Sequence, residues 1–93
     1  MVALAAEIAS RLRLDLSILE VPAAERREPI SFKVAIVAEL LSRRELTRVE
    51  IGMALGLTKR GVDYALWKVR ARMKYAAFRR YIDDLDELCR SVR

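Results

Sequence analysis

The sequence predicts an all-α fold, a small bundle of about five helices. A length of 93 residues is typical of one domain with one core, so we expect residues 1–93 to form a single domain. Hydrophobic residues make up 54% of the chain and aromatic residues only 6%, which favours aliphatic helix packing. Along most of the chain the apolar residues recur at spacings of three and four, the period of an amphipathic helix.

The first thirty residues predict one helix and a connector. Apolar residues at helical spacing between Val2 and Leu12 predict an N-terminal helix over 2–13. Residues 14–30 are the connector. Its first part, 14–21, alternates apolar and polar residues like a strand, but a lone strand has no partner here, so we favour a helical turn or extended chain. Residues 22–29 begin and end with proline and form the clearest linker.

Two further helices are predicted from their apolar stripes. Ser31 is a candidate N-cap for a helix over 31–43. A C-terminal helix over 77–92 carries the stripe Phe78, Ile82, Leu85, Leu88, Cys89 and Val92. We expect Cys89 to be a small buried apolar residue and the nearby acidic residues (Asp83, Asp84, Asp86 and Glu87) to form a solvated face.

Residues 47–73 predict a helix-turn-helix. Thr47 and Glu50 have the spacing of a capping box, and Thr58 is a second N-cap candidate. Gly56 suits a turn that needs positive φ, and Gly52 suits a close approach of two helix backbones. Apolar residues at the required spacing fill the wedge: Ile51, Leu55, Leu57, Val62, Ala65 and Leu66. The alternative is an ordinary helical hairpin with a glycine C-cap.

Positive charge is concentrated beside this motif. The chain has a net charge of +5, and residues 59–80 carry eight basic side chains and one acidic side chain. A local cluster of this kind is typical of a protein that binds a polyanion, although a solvated helix face would also account for it.

We expect double-stranded DNA to be the polyanion, bound by the helix that starts after Thr58. Lys59 and Arg60 can donate to guanine, Asp63 can accept from cytosine, and Gly61 would let the backbone approach the duplex. Tyr64 is expected to point outward, and Trp67 lies at the edge of the buried stripe. The candidate DNA-binding residues are Thr58, Lys59, Arg60, Gly61, Asp63, Tyr64, Trp67, Lys68, Arg70 and Arg72.

The run from Glu50 to Gly56, the basic helix after it and the sequence Trp-Lys-Val-Arg at 67–70 resemble the C-terminal DNA-binding domain (domain IV) of the bacterial replication initiator DnaA. Where that family reads bases with Asp-His-Thr-Thr, this chain has residues 58–61, Thr-Lys-Arg-Gly. Residues 46–72 are also similar to sigma-factor region 4 and to LuxR-type domains. Both resemblances imply a helix-turn-helix, sequence-specific DNA binding and a regulatory role in bacterial or phage transcription or replication.

Residue types that serve most enzymes are missing. The sequence has no histidine and one cysteine, so we expect no catalytic residue, no metal, no cofactor and no small-molecule substrate. The charged N-terminal helix is neither a signal peptide nor a membrane span, and we expect a soluble cytoplasmic protein. The protein could form a homodimer through helix 2–13 or the C-terminal stripe. An alternative function is a protein-interaction adaptor, because aromatic residues alternate with arginine (Tyr64, Trp67, Tyr75 and Phe78).

Overall fold

The computed structural model describes residues 2–14 and 21–90, and within them the fold is all-α, as predicted. It contains α1 (Val2–Arg11), a short 3₁₀ helix (Ala23–Glu25), α2 (Ile30–Ser42), α3 (Arg48–Leu55), α4 (Lys59–Arg72) and α5 (Ala76–Arg90). The α-helices lie within a few residues of the predicted bounds. Residues 15–20, for which the sequence favours a helical turn or extended chain over a strand, lie outside the described residues.

Helix α2 is the centre of the core. Eight consecutive residues, Val34 to Leu41, are buried, and the helix contacts α1, α3 and α4. Burying a valine, leucine or isoleucine side chain contributes roughly 1.5–3 kcal/mol. Helix α2 therefore supplies a continuous apolar surface on which α1, α3 and α4 pack.

The start of α2 differs from the prediction that Ser31 is its N-cap. The N-cap is Pro29, and Ser31 lies inside the first turn, where its backbone N–H already donates to the carbonyl of Arg27 at 2.9 Å. The Ser31 hydroxyl instead donates to the carboxylate of Glu28 at 2.6 Å. The helix starts earlier because the proline limits φ and sets the first turn before the serine is reached.

The local predictions for the α3–α4 connection are confirmed. Thr47 and Glu50 form a reciprocal capping box, and the Thr58 hydroxyl accepts a hydrogen bond from the Gly61 N–H at 3.0 Å. Gly56 has φ of 68°, in the left-handed region. A Cβ on Gly52 would overlap the carbonyl oxygen of Leu57, so the backbones meet at Gly52. Helices α3 and α4 are thus joined rigidly by three residues.

Helix α5 is held by its apolar stripe in the core and by ion pairs to Arg43 and Arg44, the two residues that follow α2. Arg44 donates to Asp86 at 2.8 Å, and Arg43 donates to Asp83 at 3.1 Å. The side chain of Asp86 is only 11% exposed, so the prediction that the acidic residues form a solvated face is wrong at this residue.

Leu88, which the sequence places in the apolar stripe of α5, is exposed. The buried stripe of α5 consists of Ile82, Leu85 and Cys89, which recur at spacings of three and four and lie in the core.

Both surfaces considered for a homodimer are partly used within one chain. Ala5, Ile8 and Ala9 of α1 are buried in the same core as Ile82, Leu85 and Cys89 of α5. Val92 lies outside the described residues. These core residues of α1 and α5 are therefore not available to a second copy, whereas Leu88 of α5 is exposed.

The two glycines of the connection make a matched pair for mutation. Replacing Gly56 by alanine should cost about 1 kcal/mol in the free energy of unfolding, because the left-handed region disfavours a Cβ. Replacing Gly52 by alanine should cost more, about 2–4 kcal/mol, because the overlap is with backbone that cannot move aside. Urea unfolding of both variants measures the difference, and an equal cost would contradict the close approach at Gly52.

Asp86 should contribute a pH-dependent part of the stability. Burial opposes ionisation, but hydrogen bonds from Arg44 and Arg90 outweigh it and lower the pKa of Asp86. The contribution is therefore complete above the unfolded-state pKa, about 4, and is lost as the pH falls through the lower folded-state pKa. Asp86→Asn should destabilise by about 1–3 kcal/mol at pH 7 and less in acid. Asp84→Asn, an exposed control on the same helix, should change little.

Candidate nucleic-acid interface

The outer face of α4 carries several exposed candidate residues. Arg60, Tyr64 and Trp67 recur at helical spacing opposite the buried stripe, and all three are exposed. Tyr64 is 60% exposed, which confirms that it points outward, and Trp67 is 64% exposed. Trp67 is therefore a surface residue and not part of the core.

Tyr64 and Trp67 form one aromatic patch. Their ring centroids lie 6.0 Å apart with 23° between the planes, and the Lys68 ammonium lies 5.7 Å from the Tyr64 centroid. On α3, Val49 and Met53 are also exposed, Met53 to 81%. Large apolar side chains left in water favour a surface that a partner covers.

The first turn of α4 is positively charged and has no acidic residue. Lys59 and Arg60 are exposed, and neither makes an ion pair with any residue that the structure describes. A helix N-terminus favours negative charge, so two cations there cost a few tenths of a kcal/mol. Thr58, the N-cap, is exposed beside them and already accepts from Gly61. These cations are available to an anion.

Three other candidate residues, Asp63, Lys68 and Arg70, make ion pairs within the chain. Arg48 of α3 donates to Asp63 at 2.8 Å, and Lys68 donates to Glu28 at 2.6 Å. On the α2 side, Arg70 donates to Glu39 at 2.9 Å, and the Glu39 side chain is 6% exposed. Arg70 therefore helps to satisfy a buried carboxylate, a role that the sequence pattern does not reveal.

Arg72 and Gly61 also have structural roles. The Arg72 guanidinium lies 4.4 Å from the centroid of the Phe32 ring, a cation–π contact between α4 and α2. A Cβ on Gly61 would lie 3.3 Å from the Thr58 hydroxyl oxygen, closer than usual. Glycine thus leaves room for the cap at this position, which is a reason within the protein for its presence.

Arg48 and Glu28 are part of this surface although sequence reasoning missed them. The hydrogen bond from Lys68 is the main cause that lowers the pKa of the Glu28 carboxyl, and the hydrogen bond from Ser31 lowers it further. Arg48 lies 15 residues from Asp63 and Glu28 lies 40 residues from Lys68. No local periodicity relates residues so far apart, so only the folded arrangement reveals these pairs.

Comparison with protein-family models, with curated proteins and with solved structures finds no match for this chain. Within the described residues, no helix has the length and apolar character needed to cross a membrane. In the same part of the chain, no three histidine, cysteine, aspartate or glutamate side chains are grouped as a metal site would require.

The exposure of Trp67 can be tested against its buried neighbour. Trp67→Ala should change the free energy of unfolding by less than about 0.5 kcal/mol, because the indole is mostly in water. Leu66→Ala should cost about 2–5 kcal/mol, because Leu66 is buried. Thermal unfolding compares the two variants, and similar losses would place Trp67 in the core instead.

Proposed function

We propose that the protein binds double-stranded DNA through α3 and α4, arranged as a helix-turn-helix with α4 as the recognition helix. The observation that carries this proposal is the first turn of α4, where Lys59 and Arg60 are exposed and have no ion-pair partner within the described residues. In a helix-turn-helix this turn enters the major groove. Two cations that are unfavourable for the free helix become favourable beside phosphates and guanine edges.

The remaining candidate residues fall into two groups, those on the exposed side of α4 and those on its α2-facing sides. Tyr64 extends the exposed face along α4, and Asp63 and Arg48 lie next to it as a preformed pair. Thr58 and the first-turn amides suit a phosphate oxygen. Lys68, Arg70 and Arg72 lie on the α2-facing sides of α4, where they would contact flanking phosphates only after exchanging their present partners.

The proposal extends to sequence-specific regulation in a bacterial or phage cytoplasm, in keeping with the resemblance to DnaA domain IV and to sigma-factor region 4. The different residues at 58–61 favour a target other than the usual DnaA site. Selection of bound sequences from a random duplex pool would identify that target. A symmetrical consensus would indicate two copies bound to half-sites.

Alanine at Lys59 or at Arg60 should each weaken binding to the selected duplex by about 1–3 kcal/mol and relax the preference at one or two base pairs. Arg27→Ala is the matched control, because Arg27 is exposed, lies outside the basic segment and carries the same charge. Fluorescence anisotropy with a labelled duplex gives the affinities. If all three variants lose affinity equally, net charge alone is responsible and α4 is not the recognition helix.

A second candidate function is a protein-interaction adaptor, which the exposure of Val49, Met53 and Trp67 favours. Aliphatic side chains gain nothing from phosphates, whereas interfaces between proteins bury them. A mixed-sequence duplex titrated at low salt separates the two functions, with Trp67 as the intrinsic probe. No change in its fluorescence would support the adaptor.

A further inference from the structure

A cleft separates the first half of α4 from α2 and the 3₁₀ helix. It has a volume of about 320 Å³ and is lined mainly by small or apolar residues, among them Ala24, Ala35, Gly61 and Ala65. Sites for small molecules have volumes of about 300–1,000 Å³ and the same apolar character. Here the space exists because five of the lining positions, on three different elements, have at most a methyl side chain.

The charged side chains that line this cleft are positive. Arg26 and Lys68 both line it, and no acidic side chain among the residues that the structure describes does so. Arg26 is buried, with its Nε donating to the Val21 carbonyl at 3.2 Å. Ser31 and Tyr64 are the other polar residues of the lining.

A carboxylate of the protein already occupies the edge of the cleft. One oxygen of Glu28 accepts from both Lys68 and Ser31 at 2.6 Å, although the Glu28 side chain itself is largely exposed. These two donors therefore match a carboxylate group in position and spacing. A ligand that presented its own carboxylate to them could place an apolar body against Ala35 and Ala65.

We propose that this cleft binds a small apolar molecule that carries one carboxylate, such as a medium-chain fatty acid. The apolar body fills the space between α2 and α4, and the carboxylate takes the position of Glu28 on Lys68 and Ser31. Binding at this site needs no DNA, so it can be tested apart from the function proposed above, although Gly61, Tyr64 and Lys68 belong to both surfaces. The ligand would contact Gly61 and Tyr64, which also line the cleft.

The test is a titration of the full chain with octanoate, followed by two-dimensional NMR of the backbone amides, with octanol and octylammonium as probes of matched length. Octanoate should give saturable shifts confined to the cleft, centred on Ala35, Gly61 and Ala65, and should bind more tightly than either control. Octanol binding as tightly as octanoate would overturn the role of the cations. Shifts scattered over the surface, or none, would overturn the site.

Two pairs of variants sharpen the result. Lys68→Gln should weaken octanoate binding roughly 5- to 30-fold, whereas Lys74→Gln, with the same charge change outside the cleft, should not. Glu28→Gln should strengthen binding because the competing carboxylate is gone, whereas Glu25→Gln on the 3₁₀ helix should leave it unchanged. Equal effects within either pair would mean that net charge, and not the cleft, attracts the fatty acid.

Discussion

The middle of α2, from Val34 to Leu41, is buried on every side, and the other helices take their positions around it. Eight consecutive buried residues cover more than two turns, so no side of this segment faces water and neighbours are needed all round it. The same run includes Glu39, a carboxylate that needs charged partners when water is removed. Arg43 and Arg70 supply them, and Arg70 thereby fixes the second half of α4 against α2. Core packing and the placement of the basic helix thus share one cause.

Local sequence signals predicted local structure well. The Thr47 capping box, the left-handed Gly56 and the small residue needed at Gly52 depend only on neighbouring backbone, so each could be read from the sequence. Ser31 was wrong as an N-cap because two signals, a serine and a proline two residues earlier, compete for one helix start. Asp86 was assigned to solvent because its partner Arg44 is 42 residues away, and no pattern within one helix reports such a pair.

For the candidate interface, the sequence also predicted the local features and not the long-range contacts. The spacing of apolar residues along α4 predicts which side of the helix faces solvent, and Tyr64 lies on that side as predicted. Trp67 lies at the edge of the apolar stripe, where the spacing alone does not decide between core and surface. The pairing of the charged residues could not be predicted, because it depends on how α2 and α3 lie against α4. The surface therefore combines two kinds of cation. Lys59 and Arg60 are open to solvent, whereas Lys68 and Arg70 are held by carboxylates.

The carboxylates held by Arg48 and Lys68 have a thermodynamic consequence for any polyanion that displaces them. A cation that binds a phosphate releases a condensed counterion, and this release makes binding to nucleic acids weaken as salt is added. When the cation must first leave Asp63 or Glu28, the freed carboxylate takes up a small cation from solution and offsets part of that release. The slope of binding affinity against salt concentration would then reflect only the cations that have no carboxylate partner, which are fewer than the basic side chains that contact the polyanion. Asp63 and Glu28 thus act as counterions that are part of the chain itself.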